Sequence, residues 1–383
     1  MKELSPLTWA EIDLKAIAHN IKEIRRLAGR NQFILPSRSR KPIDILTVIK
    51  ADAYGHGVAA VGKFLNQLGI SHFAVSDVKE GIELRTLGIT KPIVLLEATL
   101  PAYIKSIVDY QLTPTVCSQE FAVALNRYAT KRKRPIPIHL NIDTGMGRLG
   151  IWHEEAFSFV KAIFQLRYLN VAGIYTHFPV ADTDRAFTLS QIDKLYKLVM
   201  RLDRAGMVIP YIHAVNSMGL AGFKTRVLNL VRPGLMIYGL YPDLKFKKSL
   251  YLKTAMSVKS KIIFIKTIDK GRSVSYGRTF VAKRKMRVAT IPIGYSDGFL
   301  RGLSHKSAVL IRGIKCPILG RVTMDQIVVD ISRVKSPQLG MTVTVLGKEG
   351  KQSISAEDLA VIAHTINYEI VCSLGNCLPR IYI

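Results

Sequence analysis

Along the first two thirds of the chain, short runs of aliphatic and β-branched residues alternate with stretches whose apolar positions recur at helical spacing. The runs cover 45–49, 72–75, 92–96, 112–116, 136–142, 171–176, 211–215 and 228–231. Between them lie helical patterns such as 58–68, 77–87, 118–130, 153–166 and 187–205. The runs are apolar at consecutive positions, as strands buried on both faces of a parallel sheet are. Eight such strands separated mostly by helices predict a parallel (β/α)8 TIM-like barrel over 15–242, after an opening strand at 7–14. Near Tyr241-Pro242 the rhythm changes. Runs at 261–268, 287–293, 308–311, 327–331 and 342–346 predict a mainly β domain over 243–383, interrupted by one helical stretch at 356–366.

Composition supports a large core, with 48% hydrophobic and 22% charged residues in 383 positions. No apolar run approaches ~20 residues, so no membrane-spanning helix is expected. The sequence opens without the apolar stretch of a signal peptide. Four scattered cysteines fit reduced thiols in the cytoplasm better than a disulfide frame or a zinc site. The formal charge of +27 raises a nucleic-acid reading. The basic residues, however, sit in separate clusters at Arg38–Lys41, Lys131–Arg134, Lys245–Lys248 and Lys283–Arg287, without a nucleic-acid motif. They read as solvated faces.

The most informative segment is Lys50-Ala-Asp-Ala-Tyr54-Gly-His-Gly57, directly after the strand Ile45–Ile49. A strand, lysine, turn and helix in succession place one amine at the mouth of a parallel sheet. A partly desolvated lysine there is a better nucleophile toward aldehydes. A lone lysine in that place is ordinarily a solvated cap, but the length and oddity of this octapeptide favour the chemical reading. Tyr276 and His177, taken alone, read as packed core residues.

The octapeptide resembles the pyridoxal-phosphate attachment site of the alanine racemase family. Further motifs follow in that family's order: Asp143-Thr-Gly-Met-Gly-Arg148, Thr176-His177-Phe, Asn216-Ser217, Arg232-Pro-Gly234, Ser275-Tyr276-Gly-Arg, Gly294-Tyr295-Ser-Asp and Thr323-Met324-Asp325. The likeness runs from about Leu7 to Ile381. It implies pyridoxal 5'-phosphate as cofactor, carried on Lys50, with Lys50 acting on the D-face proton of Cα and Tyr276 on the L-face. An ordinary tyrosine, with a pKa near ~10, is a poor base at neutrality, so this role needs surroundings that favour phenolate. The resemblance supplies His177 and Arg232 for that.

The resemblance also implies that Arg232 faces the cofactor's ring nitrogen. An arginine cannot accept a proton there, which disfavours full charge delocalisation and steers the chemistry away from transamination. Tyr54, Ser217, Tyr368 and the backbone at Gly234 and Leu235 are implied to hold the phosphate, with Asn216 beside them. Arg148 and the Met324 amide are implied to bind the substrate carboxylate, while Tyr295 and Tyr368 narrow the entrance to admit a methyl side chain. Asp182, Arg301 and Arg321 match residues further out. Where some members carry a lysine whose carbamate steadies the arginine, this chain has Asn141. The opening strand is implied to pack with the β domain, and Tyr276 and Met324 to act from the other subunit of a homodimer.

The expected function is a cytoplasmic alanine racemase acting on a small amino acid and supplying D-alanine for peptidoglycan. The rival is a broader racemase accepting serine, lysine or arginine. Decarboxylation or aldol cleavage is disfavoured by the second proton-transfer group, a cofactor-binding module without catalysis by the long β domain. Neither a specific nucleic acid nor a membrane is expected as a partner.

Overall fold

The computed structural model describes residues 6–29, 43–225 and 228–383. The basic cluster Arg38–Lys41 lies outside them. Eight strands form the barrel path of the first, nine-stranded sheet: Asp44–Val48, His72–Val75, Ile93–Ala98, Thr113–Val116, Ile136–Asp143, Leu169–Tyr175, Tyr211–His213 and Leu230–Val231, with Ile151–Trp152 pairing beside the fifth. They pair in parallel in chain order, and the eighth returns to the first, with Val231 opposite Ile45. Between the seventh and eighth strands, an isolated parallel bridge joins Asn216 to Arg232. The barrel is thus nearly closed, and its last seam runs through two residues singled out from the sequence.

The surrounding helices start where the chain offers a side-chain cap. Asp13, Asp77, Ser118, Asp184 and Asn216 each accept a hydrogen bond from an otherwise unpaired first-turn N–H. Each such cap is worth about 1 kcal/mol.

The second sheet has ten strands and is largely antiparallel. Trp9–Ile12 belongs to it rather than to the barrel. That strand lies between Met256–Lys261, with Ala10 opposite Val258, and the parallel strand Arg380–Tyr382, with Glu11 opposite Ile381. The run expected at 261–268 resolves into the end of one strand, Met256–Lys261, and a separate one, Phe264–Ile268. The single helix expected over 356–366 is a correction of more consequence, because there are two, Ala356–Ala363 and Asn367–Cys377. His364 takes a left-handed conformation (φ 57°) and Ile366 an extended one, which breaks the helix and reorients the chain. One apolar core continues from the barrel strands into this domain.

Among the described residues, no helix is long and apolar enough to cross a membrane. The clusters at 131–134, 245–248 and 283–287 are exposed at their basic residues.

Candidate active site

Lys50 lies two residues past the first barrel strand, Asp44–Val48, and the backbone after it turns the wrong way for L-residues. Ala51, Asp52, Ala53 and Tyr54 all have φ between 52° and 55°, the first three with ψ near 50°, one turn of left-handed helix. Each such residue costs about 1–2 kcal/mol through the clash of Cβ with the following carbonyl. The turn persists because it is held from two sides. From the barrel, the Ala51 N–H donates to Glu80 Oε1 (2.6 Å) and the Val58 N–H to Asp52 Oδ1 (2.6 Å). From the β domain, Arg380 pairs with the Asp52 carboxylate, and helix Asn367–Cys377 lies against Gly55. A Cβ on Gly375 would sit 2.1 Å from the Gly55 carbonyl oxygen, so the two backbones are in direct contact.

The turn opens onto a cavity of about 620 Å³ at the carboxyl ends of the barrel strands, where this architecture ordinarily builds its sites. Lys50, Tyr54, Arg148, His177, Asn216, Ser217, Arg232, Gly234, Leu235 and Tyr368 all line it. Asn141 and Cys372 do so as well. Tyr368 reaches it from the second of the two C-terminal helices.

Arg232, directly after the eighth barrel strand, is buried. Its Nη1 donates to His213 Nδ1 (2.7 Å), and its Nη2 reaches the carbonyls of Thr176 (2.9 Å) and Ala214 (3.1 Å) and the Nδ1 of His177 (3.2 Å). The Tyr175 ring lies beside the guanidinium, 5.1 Å from centroid to Cζ, and stacks on His213. An arginine can only donate, so both histidines accept at Nδ1 and carry their protons on Nε2. His213 in turn donates from Nε2 to His139 Nδ1 at 2.8 Å. Burial first, and then the Arg232 charge, push His177 down to about 3 and His213 well below its usual range. Burial followed by the neighbouring His72 and Arg232 charges brings His139 to about 3. Burial lowers Arg232 itself only to about 10, so it stays charged at neutral pH.

Arg148 is placed by its loop. The Asp143 carboxylate accepts the N–H groups of Gly145, Met146 and Gly147, all at 2.8 Å, and folds the segment into a tight nest. Gly145, Gly147 and Gly150 supply the positive φ values this requires. Asp143 stood within a motif in the sequence but carried no role; Asp followed by glycines was the available signal. His213, Tyr175 and Glu80 gave no signal beyond a polar residue in or beside an apolar run.

On the opposite wall the Ser217 hydroxyl accepts from the N–H groups of Gly234 (3.1 Å) and Met236 (3.3 Å), which leaves its own proton to donate. A Cβ at Gly234 would meet the Tyr54 hydroxyl at 2.5 Å, so only glycine leaves this cradle open. Burial raises the Tyr54 hydroxyl far above its usual range and Tyr368 to about 12, and both remain neutral donors.

Three residues expected at the site do not line this cavity. Tyr276, Met324 and Tyr295 are 71%, 53% and 43% exposed on the β domain. They gather at one end of it. Ser275 Oγ donates to the Arg321 carbonyl (2.6 Å), Arg321 packs over Gly277, and the Tyr295 and Ser296 N–H groups donate to Thr323 and Met324 carbonyls. The fold therefore assembles two groups, one around Lys50 and one around Tyr276, and the single chain leaves the second open to solvent.

The family models for the alanine racemase N-terminal and C-terminal domains match residues 12–242 and 255–382. The chain is 40% identical over 382 residues to the alanine racemase of Halothermothrix orenii, covering 100% of this chain and 98% of the relative. The chain belongs to the alanine racemase family. Among solved structures, the alanine racemase of Clostridium difficile 630 superposes with a TM-score of 0.90 at 36% identity, covering 100% and 97% of the two chains. That of Bartonella henselae, described with covalently bound pyridoxal phosphate, does so with a TM-score of 0.86 at 28% identity, covering 99% and 100%. Membership and fold agree with the barrel and mainly β domain seen here, and the activity of the chain is that of an alanine racemase.

Proposed function

We propose that the chain interconverts L- and D-alanine with pyridoxal 5'-phosphate held on Lys50, in a homodimer whose two subunits share each active site. The observation that carries this is the division of the site residues. Lys50 and Arg232 share a cavity with neutral hydroxyl and N–H donors suited to a phosphate, while Tyr276 and Met324 are exposed on another domain. The donor set and the glycine cradle fit the cofactor. The covalently bound pyridoxal phosphate of the Bartonella henselae relative supports the same assignment.

Bound pyridoxal phosphate supplies the electron sink that labilises the Cα–H bond. Lys50 holds the cofactor and, once freed by substrate, moves a proton at Cα on the D-face. Tyr276 of the partner subunit moves a proton on the L-face, and the His177 Nε2–H and the Arg232 charge favour its phenolate. Two groups on opposite faces are what inversion at one carbon requires. Arg148 and the Met324 amide of the partner subunit bind the substrate carboxylate, the arginine with both arms. Tyr54, Ser217, Tyr368 and the backbone at Gly234 and Leu235 hold the phosphate, next to Asn216. Tyr295 of the partner subunit and Tyr368 limit the side chain to about a methyl group. We place the reaction in the cytoplasm, where its D-alanine would serve peptidoglycan.

The test is chiral chromatography after incubation with pyridoxal phosphate and a mixture of L-alanine, L-serine, L-lysine and L-arginine. D-alanine should dominate. Several D-products formed at similar rates would replace this reading with a broader racemase.

A further inference from the structure

The left-handed turn after Lys50 needs an anchor on the barrel side, and one carboxylate supplies it. Glu80 Oε1 accepts the Ala51 N–H at 2.6 Å and Oε2 accepts the Ser76 N–H at 2.7 Å. Ala51 follows the attachment lysine at the end of the first barrel strand, and Ser76 follows the second strand, His72–Val75. A single side chain thus ties together the ends of two neighbouring strands at the level of the cavity. Glu80 is itself fixed. It lies in the first turn of the helix Val78–Thr86, where its own N–H donates to the cap Asp77 at 3.0 Å. Burial raises its carboxyl and the Asp77 charge adds to the rise, while the two N–H groups and then the Lys50 charge oppose it.

We propose that Glu80 is a positioning residue for Lys50: its carboxylate fixes the backbone of the left-handed turn and thereby the direction from which the lysine enters the cavity. Glu80 does not line the cavity and needs no contact with substrate or cofactor. The chemistry of the side chain is specific, because a carboxylate offers two acceptor oxygens without a donor. Glutamine presents one oxygen and one NH2, so one of the two N–H groups would face another donor. Relieved of that tie, the turn has a right-handed alternative of lower energy. The inference rests on the proposed role of Lys50 as cofactor carrier.

The full-length protein loaded with pyridoxal phosphate is compared with E80Q, E80D and D77A. Three quantities are read: thermal midpoint, the rate at which visible absorbance of bound cofactor is lost after dilution, and hydrogen exchange at the Ala51 amide. E80Q should stay folded, release cofactor about tenfold faster and exchange Ala51 about tenfold faster, the effect of one of the two N–H groups facing a donor in place of its acceptor. E80D keeps the charge but loses reach, and should fall between E80Q and the parent. D77A removes the cap that helps fix Glu80 but leaves both carboxylate hydrogen bonds available, so it should lower the midpoint while changing release and Ala51 exchange less than E80Q does. Parental release and Ala51 exchange in E80Q, or in E80D should E80Q not fold, would overturn the proposal. Failure of the parent itself to bind the cofactor at Lys50 would instead remove the functional reading, and Ala51 exchange would still report whether Glu80 holds the turn.

Discussion

Arg232 bridges the barrel's last seam and also lines the cavity, so its substitution should register in two measurements. R232E turns an acid toward the Thr176 and Ala214 carbonyls and removes the donor that fixes both histidine tautomers. A lower thermal midpoint is expected, together with more pyruvate per D-alanine formed. An unchanged pyruvate fraction would refute the idea that an arginine at the ring nitrogen steers against transamination. Asp143 offers a cleaner dissection of the same wall. D143A strips three N–H groups of their acceptor and loosens the loop that aims Arg148. The KM for alanine should rise about tenfold with a smaller change in kcat, as expected when one charge-assisted contact to the substrate carboxylate weakens. Equal losses in kcat and kcat/KM would assign the loop to the transition state instead.

The helix Asn367–Cys377 meets the left-handed turn through two glycine backbones, which fixes what a single methyl group can do. G375A would bring a Cβ to 2.1 Å from the Gly55 carbonyl oxygen, with backbone on both sides of the clash. The cost should be about 1–3 kcal/mol, typical of overpacking. Calorimetry should show it, and cofactor occupancy should fall with it because Lys50 and Tyr368 stand on the two elements being forced apart. Neither the helix nor the handedness of the turn was legible in the sequence. The barrel strands were, because a strand buried on both faces must be apolar throughout. The turn was hidden because Ala-Asp-Ala-Tyr carries no glycine, and its local preference is right-handed; contacts with Glu80 and Arg380, distant in sequence, override it. The helix was hidden because its apolar residues continue the preceding pattern past the break at His364. Lys50, Arg148 and Arg232 were legible as ordered motifs, whereas His213 and Tyr175 matter only through what the fold stacks upon them.

At the scale of the whole molecule, buried neutral histidines set the pH dependence of stability. His56 is held near 4, and His139 and His177 near 3, all chiefly by burial. Each lies below the value of about 6.5 expected in the unfolded chain, so on acidification the unfolded state takes up protons first. Their contribution is complete above about pH 6.5 and is lost as pH falls toward 4, by up to about 1.4 kcal/mol per pH unit for each residue. Glu80 and Asp297, both raised by burial, work in the opposite sense above the ordinary carboxylate range, but they are two groups against three. The urea midpoint should therefore drop between pH 7 and 5.5, and a flat profile would contradict the burial of these rings. The proposed shared site makes a different prediction. K50A and Y276F should each be inactive, yet refolding them together should restore about a quarter of parental activity, since half of randomly formed dimers are mixed and each holds one intact site. No recovery would mean that each chain completes its own site. The tie between Arg380 and Asp52 spans 328 residues, and that separation sets a schedule. A ribosome adding about 5–20 residues per second needs roughly a quarter of a minute to a minute to cover it. During that interval Lys50 is already synthesised but its left-handed turn is held from the barrel side alone. In the cell, the full capacity to hold cofactor would then arrive only once Arg380 has been made, well behind the lysine that carries it.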